Sequence, residues 1–426
     1  MLDILKVLIE SKIGTTVTTR GDCQLISNAI FETLDVEISY STIKRIYGLN
    51  ASTKPNTKTL NTLAKFVGYN NYFHFIQTYD FESRNNFNFQ VYKAISKLDY
   101  KEIVELIDKT KKSGKNFTDF IIVLVRELLH NKNYNMLNKI FQLDALKYNT
   151  FSYSEILYVG NSIGLLLRKE QLKDSILNRN RNFLNCVYLT FVDYSNLNGY
   201  YANWTKTIKK SENTKEVQIF TKAILEFRKF LNQKKVKDSF GNLAFSNGLN
   251  PILCSRILSI KIMANNYDDL ETLLSNYFST HSKKKSFLLD YSYELLTIAI
   301  TAKNITLMRS LVKHIQLNEK ELFYYQKYHL NLFYLMSLFY YKLTDNKSKQ
   351  KYYETLFNIS IINFSYEDYI RLLYGSYLYA EAKTKSSKAS IKSDLLELSE
   401  KLNYPYFSEN YILKYFKNSI ITKKVH

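Results

Sequence analysis

The chain has 426 residues and a formal net charge of +20, with 46% hydrophobic and 23% charged residues. These fractions exclude an intrinsically disordered chain, and the length suggests two or more folded units or a repeat array. Only 3 prolines and 11 glycines occur. They are too few for the tight turns of a β-sandwich or for glycine-rich crossovers, so an all-α fold is predicted.

The positive charge has two explanations. A basic chain attracts the phosphates of nucleic acids. A composition rich in Lys, Asn, Ile and Tyr, whose codons are AT-rich, also gives basic proteins without a functional reason. The position of the charge is more informative than its total. Residues 1–37 hold six acidic and three basic side chains, whereas residues 38–79 hold no acidic and five basic ones, which predicts a positive side on the N-terminal region.

Apolar spacing predicts five helices in the first eighty residues, at about 3–11, 22–34, 40–47, 58–67 and 71–78. Leu25 is expected on the inward face of the second helix. Either Ser39 or Ser41 can cap the third helix, and Thr57 is the candidate cap of the fourth. The short connectors between these helices favour a small helical domain that spans residues 1–80.

A pattern within residues 19–80 resembles the Cro/repressor-type helix-turn-helix domains and N-terminal modules common in Bacteroidetes proteins. It consists of Ser41-Thr42-Ile43-Lys44-Arg45-Ile46-Tyr47-Gly48, Lys54-Pro55, Thr59-Leu60 and Leu63-Ala64-Lys65-Phe66-Val67-Gly68. Two features depart from that family. The glutamine that caps its second helix has only Gln24 as a nearby counterpart, and the loop from Gly48 to Pro55 is longer than usual.

The resemblance implies that the third helix lies in the major groove and that the start of the next helix meets phosphates. The residues thereby assigned to double-stranded DNA are Ser39, Tyr40, Ser41, Thr42, Lys44, Arg45, Lys54, Asn56, Thr57 and Lys58. Arg and Lys side chains can pair with guanine, while hydroxyls suit phosphate contacts. Alternatively, the cations form a solvated face of a domain that docks protein.

Residues 81–90 are expected to form a linker, and residues 91–426 a long body of α-hairpins. Polar turns recur every 28 to 42 residues or so, the range of helix-hairpin repeats. The unit over 332–357 resembles a tetratricopeptide repeat, so the body is predicted to be a degenerate tetratricopeptide-like α-solenoid. Most aromatic rings should pack between helices, but one cluster could line a groove for a peptide or partner helix: Tyr324, Tyr325, Tyr328, Tyr340, Tyr341, Tyr352 and Tyr353.

The sequence contains none of the common metal-binding, phosphate-binding or nucleophile motifs. Cys23, Cys186 and Cys254 are widely spaced, no histidine pair has metal-ligand spacing, and no phosphate-binding glycine loop or nucleophile elbow occurs. We therefore expect no cofactor, no metal and no enzymatic activity. The chain also lacks a signal peptide and any apolar run long enough for a bilayer, which predicts a soluble, cytoplasmic protein without a membrane partner.

Together these features predict a DNA-binding transcriptional regulator. Its helical repeat body would sense a ligand or a peptide or protein partner. The protein could form a homodimer, because one small DNA-binding domain rarely gives enough affinity or specificity alone. The alternative is a non-catalytic interaction scaffold whose N-terminal helical module docks protein.

Overall fold

A computed structural model of the chain describes residues 1–51, 55–114, 116–170, 172, 176–211, 213–281, 285–315 and 322–417. Over these ranges the backbone forms helices, turns and coil without a β-strand, which confirms the all-α prediction. None of the helices found there is both apolar enough and long enough to span a bilayer. The chain divides into two compact units, Met1–Ile103 and Val104–His426.

The helices of the first unit are α1 (Leu2–Ile13), α2 (Arg20–Leu34), α3 (Tyr40–Ile46), α4 (Thr57–Phe66) and α5 (Tyr72–Lys97). Helix α2 contacts α1, α3 and α4, and α4 also packs on α5. Thr19 and Asp22 form a reciprocal capping box at the start of α2. Gln24 instead donates a hydrogen bond to the side chain of Asn28 (3.0 Å), so it does not cap this helix.

The core of the first unit is built from aliphatic and aromatic side chains of all five helices. Its buried members include Leu5, Ile9, Cys23, Ile26, Ile30, Ile43, Ile46, Leu63, Phe66 and Phe75. The hydroxyl of Ser27 donates to the carbonyl of Ile38 (2.5 Å), which fixes the turn between α2 and α3. Leu25, expected on the inward face, is 48% exposed because the inward stripe of α2 runs through Cys23, Ile26 and Ile30 instead.

Helix α5 is much longer than the short helix predicted at 71–78. It begins after Asn71, whose side chain accepts from the backbone N–H of His74 (2.8 Å), and it continues to Lys97. The segment 81–90, predicted as a linker, lies inside this helix rather than in a loop. No glycine or proline occurs between positions 69 and 113, so nothing in the sequence breaks the helix there.

The second unit contains the greater part of the helices. They are α6 (Tyr100–Ser113), which begins at the end of the first unit, α7 (Phe117–His130), α8 (Tyr134–Ile140), α9 (Tyr153–Glu170), α10 (Arg181–Phe183), α11 (Tyr200–Lys209), α12 (Lys215–Leu231), α13 (Pro251–Met263), α14 (Leu270–His281), α15 (Leu288–Thr301), α16 (Ile305–His314), α17 (Gln326–Leu343), α18 (Lys347–Leu356), α19 (Glu367–Glu381), α20 (Lys385–Leu402) and α21 (Glu409–Lys414). A π-helical turn, Leu184–Tyr188, extends α10.

Many helices of the second unit pack as hairpins with their successors. Non-glycine residues with left-handed backbone stand in turns that follow these helices, among them Lys132, Gln233, Asn265, Lys303 and Asp345. Helices α13, α15 and α17 lie side by side, and the buried α15 is central. The hydroxyl of Tyr404 bonds to the backbone carbonyl of Tyr194 (2.6 Å) and to the N–H of Leu197 (2.7 Å). Such contacts go beyond the nearest-neighbour packing of an idealised solenoid, so the solenoid stays a prediction.

Candidate functional site

The N-terminus of α3 gathers three hydroxyl side chains. Ser39 has an extended backbone, and its side-chain oxygen accepts a hydrogen bond from the backbone N–H of Thr42 (3.3 Å), so Ser39 rather than Ser41 caps the helix. The Ser39 hydroxyl also lies 3.2 Å from the hydroxyl of Ser41 and 3.0 Å from that of Thr42. Three of the residues assigned to DNA are thus adjacent in the structure.

The outward face of α3 carries two cations. Ile43 and Ile46 are buried in the core of the unit. Successive residues of an α-helix are rotated by about 100°, which places Ser41, Lys44 and Arg45 on the opposite side. Arg45 is exposed, and Lys44 is half-buried. Neither cation forms an ion pair with any residue that the structure describes, so both charges are free to meet an external anion.

Tyr40, the first residue of α3, is held by α2. Arg20 donates a hydrogen bond to the Tyr40 hydroxyl (3.0 Å), and its guanidinium carbon lies 4.8 Å from the centre of the ring. This contact orients the tyrosine and adds an exposed cation at the start of α3. No pattern around α3 points to Arg20, because this residue stands twenty positions earlier, at the start of the preceding helix.

Helix α4 presents a second basic face. Its cap is Asn56, whose side chain accepts from the backbone N–H of Thr59 (2.8 Å), whereas Thr57, expected as the cap, is the first helical residue. Lys58 and Lys65 are both exposed and are seven residues apart, so they share one side, opposite the buried stretch 62–64. Lys54, also assigned to DNA, lies outside the described residues.

A cavity of ≈ 490 Å³ opens in the second unit. Its walls come from α9, α13, α15, the start of α17 and the loops at 189–194 and 362–365. Aliphatic, aromatic, amide and hydroxyl side chains line it, together with Arg256, Glu294 and His329. Its size falls within the range of small-molecule sites, about 300–1,000 Å³.

A buried ion pair forms part of the cavity wall. Glu294 is fully buried, and its Oε1 accepts from Arg256 Nη2 (2.7 Å) and from the Tyr194 hydroxyl (2.5 Å). Its Oε2 accepts from the Tyr366 hydroxyl (2.7 Å), and the two tyrosine rings stack 3.9 Å apart. Burial by itself would lower the pKa of Arg256, but the Glu294 carboxylate together with Tyr194 and Tyr366 outweighs it and raises the pKa. The guanidinium of Arg256 therefore stays charged.

The guanidinium of Arg256 uses two of its three nitrogens in hydrogen bonds to Tyr194 and Glu294. Its Nε donates to the Tyr194 hydroxyl (2.9 Å) and its Nη2 to Glu294. Its Nη1 makes no hydrogen bond within the described part of the chain. Because Arg256 lines the cavity, this nitrogen can serve a carbonyl or carboxylate of a bound molecule.

A second polar cluster lies one helical turn away along α15. Asp290 accepts hydrogen bonds from Tyr325 (2.9 Å) and Gln326 (3.0 Å) through Oδ2. Its Oδ1 lies 2.8 Å from His329 Nδ1, although the geometry of that contact is not a hydrogen bond. Burial, followed by the nearby Asp290 carboxylate, raises the pKa of Tyr325. This cluster fixes the aromatic end of the cavity wall.

The predicted tyrosine cluster separates into two groups. Tyr324, Tyr325 and Tyr328 line the cavity. The other four, Tyr340, Tyr341, Tyr352 and Tyr353, belong to the hairpin of α17 and α18. There the rings of Tyr341 and Tyr353 stack 5.5 Å apart. Three of the seven tyrosines thus lie in the cavity wall, and the other four lie in the hairpin.

No motif in the sequence singles out Arg256 or Glu294. Glu294 stands in a helix whose residues 289–301 are all buried, a property that only the structure shows. A buried charge requires a partner, but Arg256 is 38 positions away and the two tyrosines are about 100 and 72 positions away. No protein-family model matches this chain, and no curated protein sequence or solved structure matches it either.

Proposed function

We propose that the protein is a DNA-binding transcriptional regulator of the helix-turn-helix kind. Helix α3 would enter the major groove, with Lys44 and Arg45 facing base edges and backbone, while Lys58 and Lys65 on α4 would face phosphates. The proposal rests on one observation: the outward faces of α3 and α4 carry unpaired cations, and residues 38–79 contain no acidic side chain to offset them.

The larger unit would act as the sensor. Its cavity has the volume of a small-molecule site, a wall of tyrosines and an arginine nitrogen with no partner among the described residues. A molecule with an apolar body and a hydrogen-bond acceptor would suit that combination. We also expect the regulator to act as a homodimer, since one small head supplies little affinity or specificity.

The test compares DNA binding by full-length variants at several salt concentrations, using the DNA upstream of the gene for this protein. Lys44→Ala/Arg45→Ala should bind this DNA at least tenfold more weakly than wild type and with a shallower salt dependence. The matched control is Lys93→Ala/Lys97→Ala, which removes two exposed charges from α5. If the first variant folds and binds as tightly as the control, α3 is not the DNA-binding element.

A protein-docking scaffold is the second candidate. It is favoured by the exposure of apolar side chains on the first unit, since Leu25 is 48%, Phe31 52% and Phe73 67% exposed. A scaffold would show no salt-dependent binding to DNA, and Phe31→Ser or Phe73→Ser would abolish association with its protein partner. A regulator would lose DNA binding through Lys44 and Arg45 and would keep it in the two serine variants.

A further inference from the structure

The net charge of the chain resides mainly outside the N-terminal unit. Residues 1–103 carry 12 basic and 10 acidic side chains, which leaves a small excess. Residues 176–237 carry 12 basic and only 4 acidic side chains. A stretch of 62 residues in the second unit thus holds a large share of the total of +20, and the cations of α3 and α4 do not account for it.

The fold gathers this stretch around one concave surface. Two adjoining hollows of ≈ 500 and ≈ 580 Å³ share Asn213, Val217 and Gln218 in their walls. The first extends to the segment 179–185, and the second extends along α11 and α12. Together they form one groove, which we call the α11–α12 groove.

The α11–α12 groove is lined by unpaired cations. Five of them are exposed and form no ion pair in the ranges that the structure describes: Arg179, Arg181, Lys206, Lys209 and Lys222. Glu226, which also lines it, is buried; it binds Lys229 (2.6 Å) and accepts from the backbone N–H of Lys237 (2.9 Å). Glu216 lines a neighbouring cavity that shares Asn185 with the groove, and Glu212 is outside the described residues. The described lining of the groove therefore carries more positive than negative charge.

The groove also has polar lining, with amide groups from Asn185, Asn213 and Gln218 and a hydroxyl from Thr214. Part of this lining is held within the chain: the Asn213 amide donates to the carbonyls of Ile208 and Ser211, and the Gln218 amide donates to the carbonyl of Asn213. Amides, hydroxyls and cations are the side chains that contact phosphate and sugar oxygens of nucleic acids. A flat membrane surface cannot enter a concavity, and an acidic protein offers no regular row of phosphates to match the unpaired cations of the groove.

We propose that the α11–α12 groove binds the sugar–phosphate backbone of double-stranded DNA, as a sequence-independent site separate from α3. It shares its ligand with the proposed function, so the experiment must distinguish the two sites. Each phosphate neutralised adds about 0.9 to the slope of log affinity against log salt concentration. Loss of three lysine contacts should therefore reduce that slope by about 2.7.

The test uses the full chain, a 30-base-pair duplex of random sequence (about three helical turns) and the duplex upstream of the gene. Lys206→Gln/Lys209→Gln/Lys222→Gln is compared with a matched control of three exposed, unpaired lysines, Lys383→Gln/Lys385→Gln/Lys388→Gln. The groove variant should weaken binding to both duplexes by the same factor and lower the salt slope. The control should keep the wild-type slope. Trp204, buried in α11, reports whether each variant is folded.

The outcomes separate the two proposals. If the groove variant and the control have the same slope as wild type, the groove does not contact DNA, and the proposed role of α3 is unaffected. Lys44→Ala/Arg45→Ala should instead reduce the preference for the upstream duplex over the random one. If anionic phosphatidylserine vesicles or polyglutamate bind more tightly than DNA, and only that binding is lost in the groove variant, the partner is a membrane or an acidic protein and the proposal is wrong.

Discussion

Replacing Glu294 by glutamine should destabilise the second unit by about 3–5 kcal/mol, the cost of breaking a buried ion pair from one side. The carboxylate is fully buried, and it accepts three hydrogen bonds of 2.5–2.7 Å from Arg256, Tyr194 and Tyr366. Glutamine has nearly the same shape but no charge. It leaves the Arg256 guanidinium, only 3% exposed, without a counter-ion. The ratio of folded to unfolded protein would fall by about two to four orders of magnitude.

The assay is urea unfolding followed by tryptophan fluorescence. Trp204 is the only tryptophan of the chain, and it is buried in the second unit with its indole N–H bonded to Asn178 (2.8 Å), so it reports this unit alone. Urea is uncharged and does not screen ion pairs. A lower urea concentration at the midpoint of unfolding, with an unchanged slope of the unfolding free energy against urea concentration, would show that stability is lost. The control is Glu367→Gln, which breaks an exposed pair with Arg371 (3.2 Å) and should cost under about 1 kcal/mol.

A double-mutant cycle decides whether the ion pair is the cause. Arg256→Met alone leaves Glu294 buried without its cation, whereas Arg256→Met/Glu294→Gln removes both charges. The double variant should therefore be more stable than the sum of the single effects predicts, by roughly 0.5–3 kcal/mol. The reasoning is refuted if Glu294→Gln costs no more than Glu367→Gln, or if the two single effects add.

Three further predictions concern packing, pH and capping. In Gly164→Ala, the new Cβ would lie 2.1 Å from the ring of Phe191, so we expect a loss of about 1–3 kcal/mol by the same fluorescence assay. Gly248→Ala, with no heavy atom closer than 3.7 Å, should change stability by less than about 0.5 kcal/mol. Burial raises the pKa of many tyrosines well above 10.0, including Tyr153, Tyr194, Tyr201, Tyr277, Tyr293, Tyr366, Tyr369, Tyr411 and Tyr415. The unfolded chain loses these protons near pH 10 while the folded chain keeps them, so stability should fall as pH rises above about 10. Tyrosinate absorbance should then appear together with loss of the tryptophan signal, and gradual ionisation without unfolding would contradict the argument. Asn56→Ala removes the cap of α4 and should cost about 1 kcal/mol, seen as faster hydrogen exchange of its amides, whereas Thr57→Ala should not.

Local signals in the sequence predicted much of the first unit. The apolar spacing of α3 and α4 depends only on neighbours three and four positions away, and it placed Ile43, Ile46 and Leu63 inward, where the structure has them. The absence of acidic residues from 38–79 is likewise a property of the sequence alone. The sequence predicts a shorter α5 because the stretch 81–90 is polar, but that stretch contains no helix breaker and lies within the helix.

The sequence by itself determined that the chain is helical, where several of its turns fall, and which residues of α3 face outward, because these follow from local periodicity and backbone preference. Only the tertiary structure decided which distant charges meet. Glu294 can be buried only because Arg256, Tyr194 and Tyr366 arrive from separate elements to satisfy its oxygens. The cavity and the α11–α12 groove likewise exist only once segments far apart in sequence have packed, and no local pattern specifies those pairings.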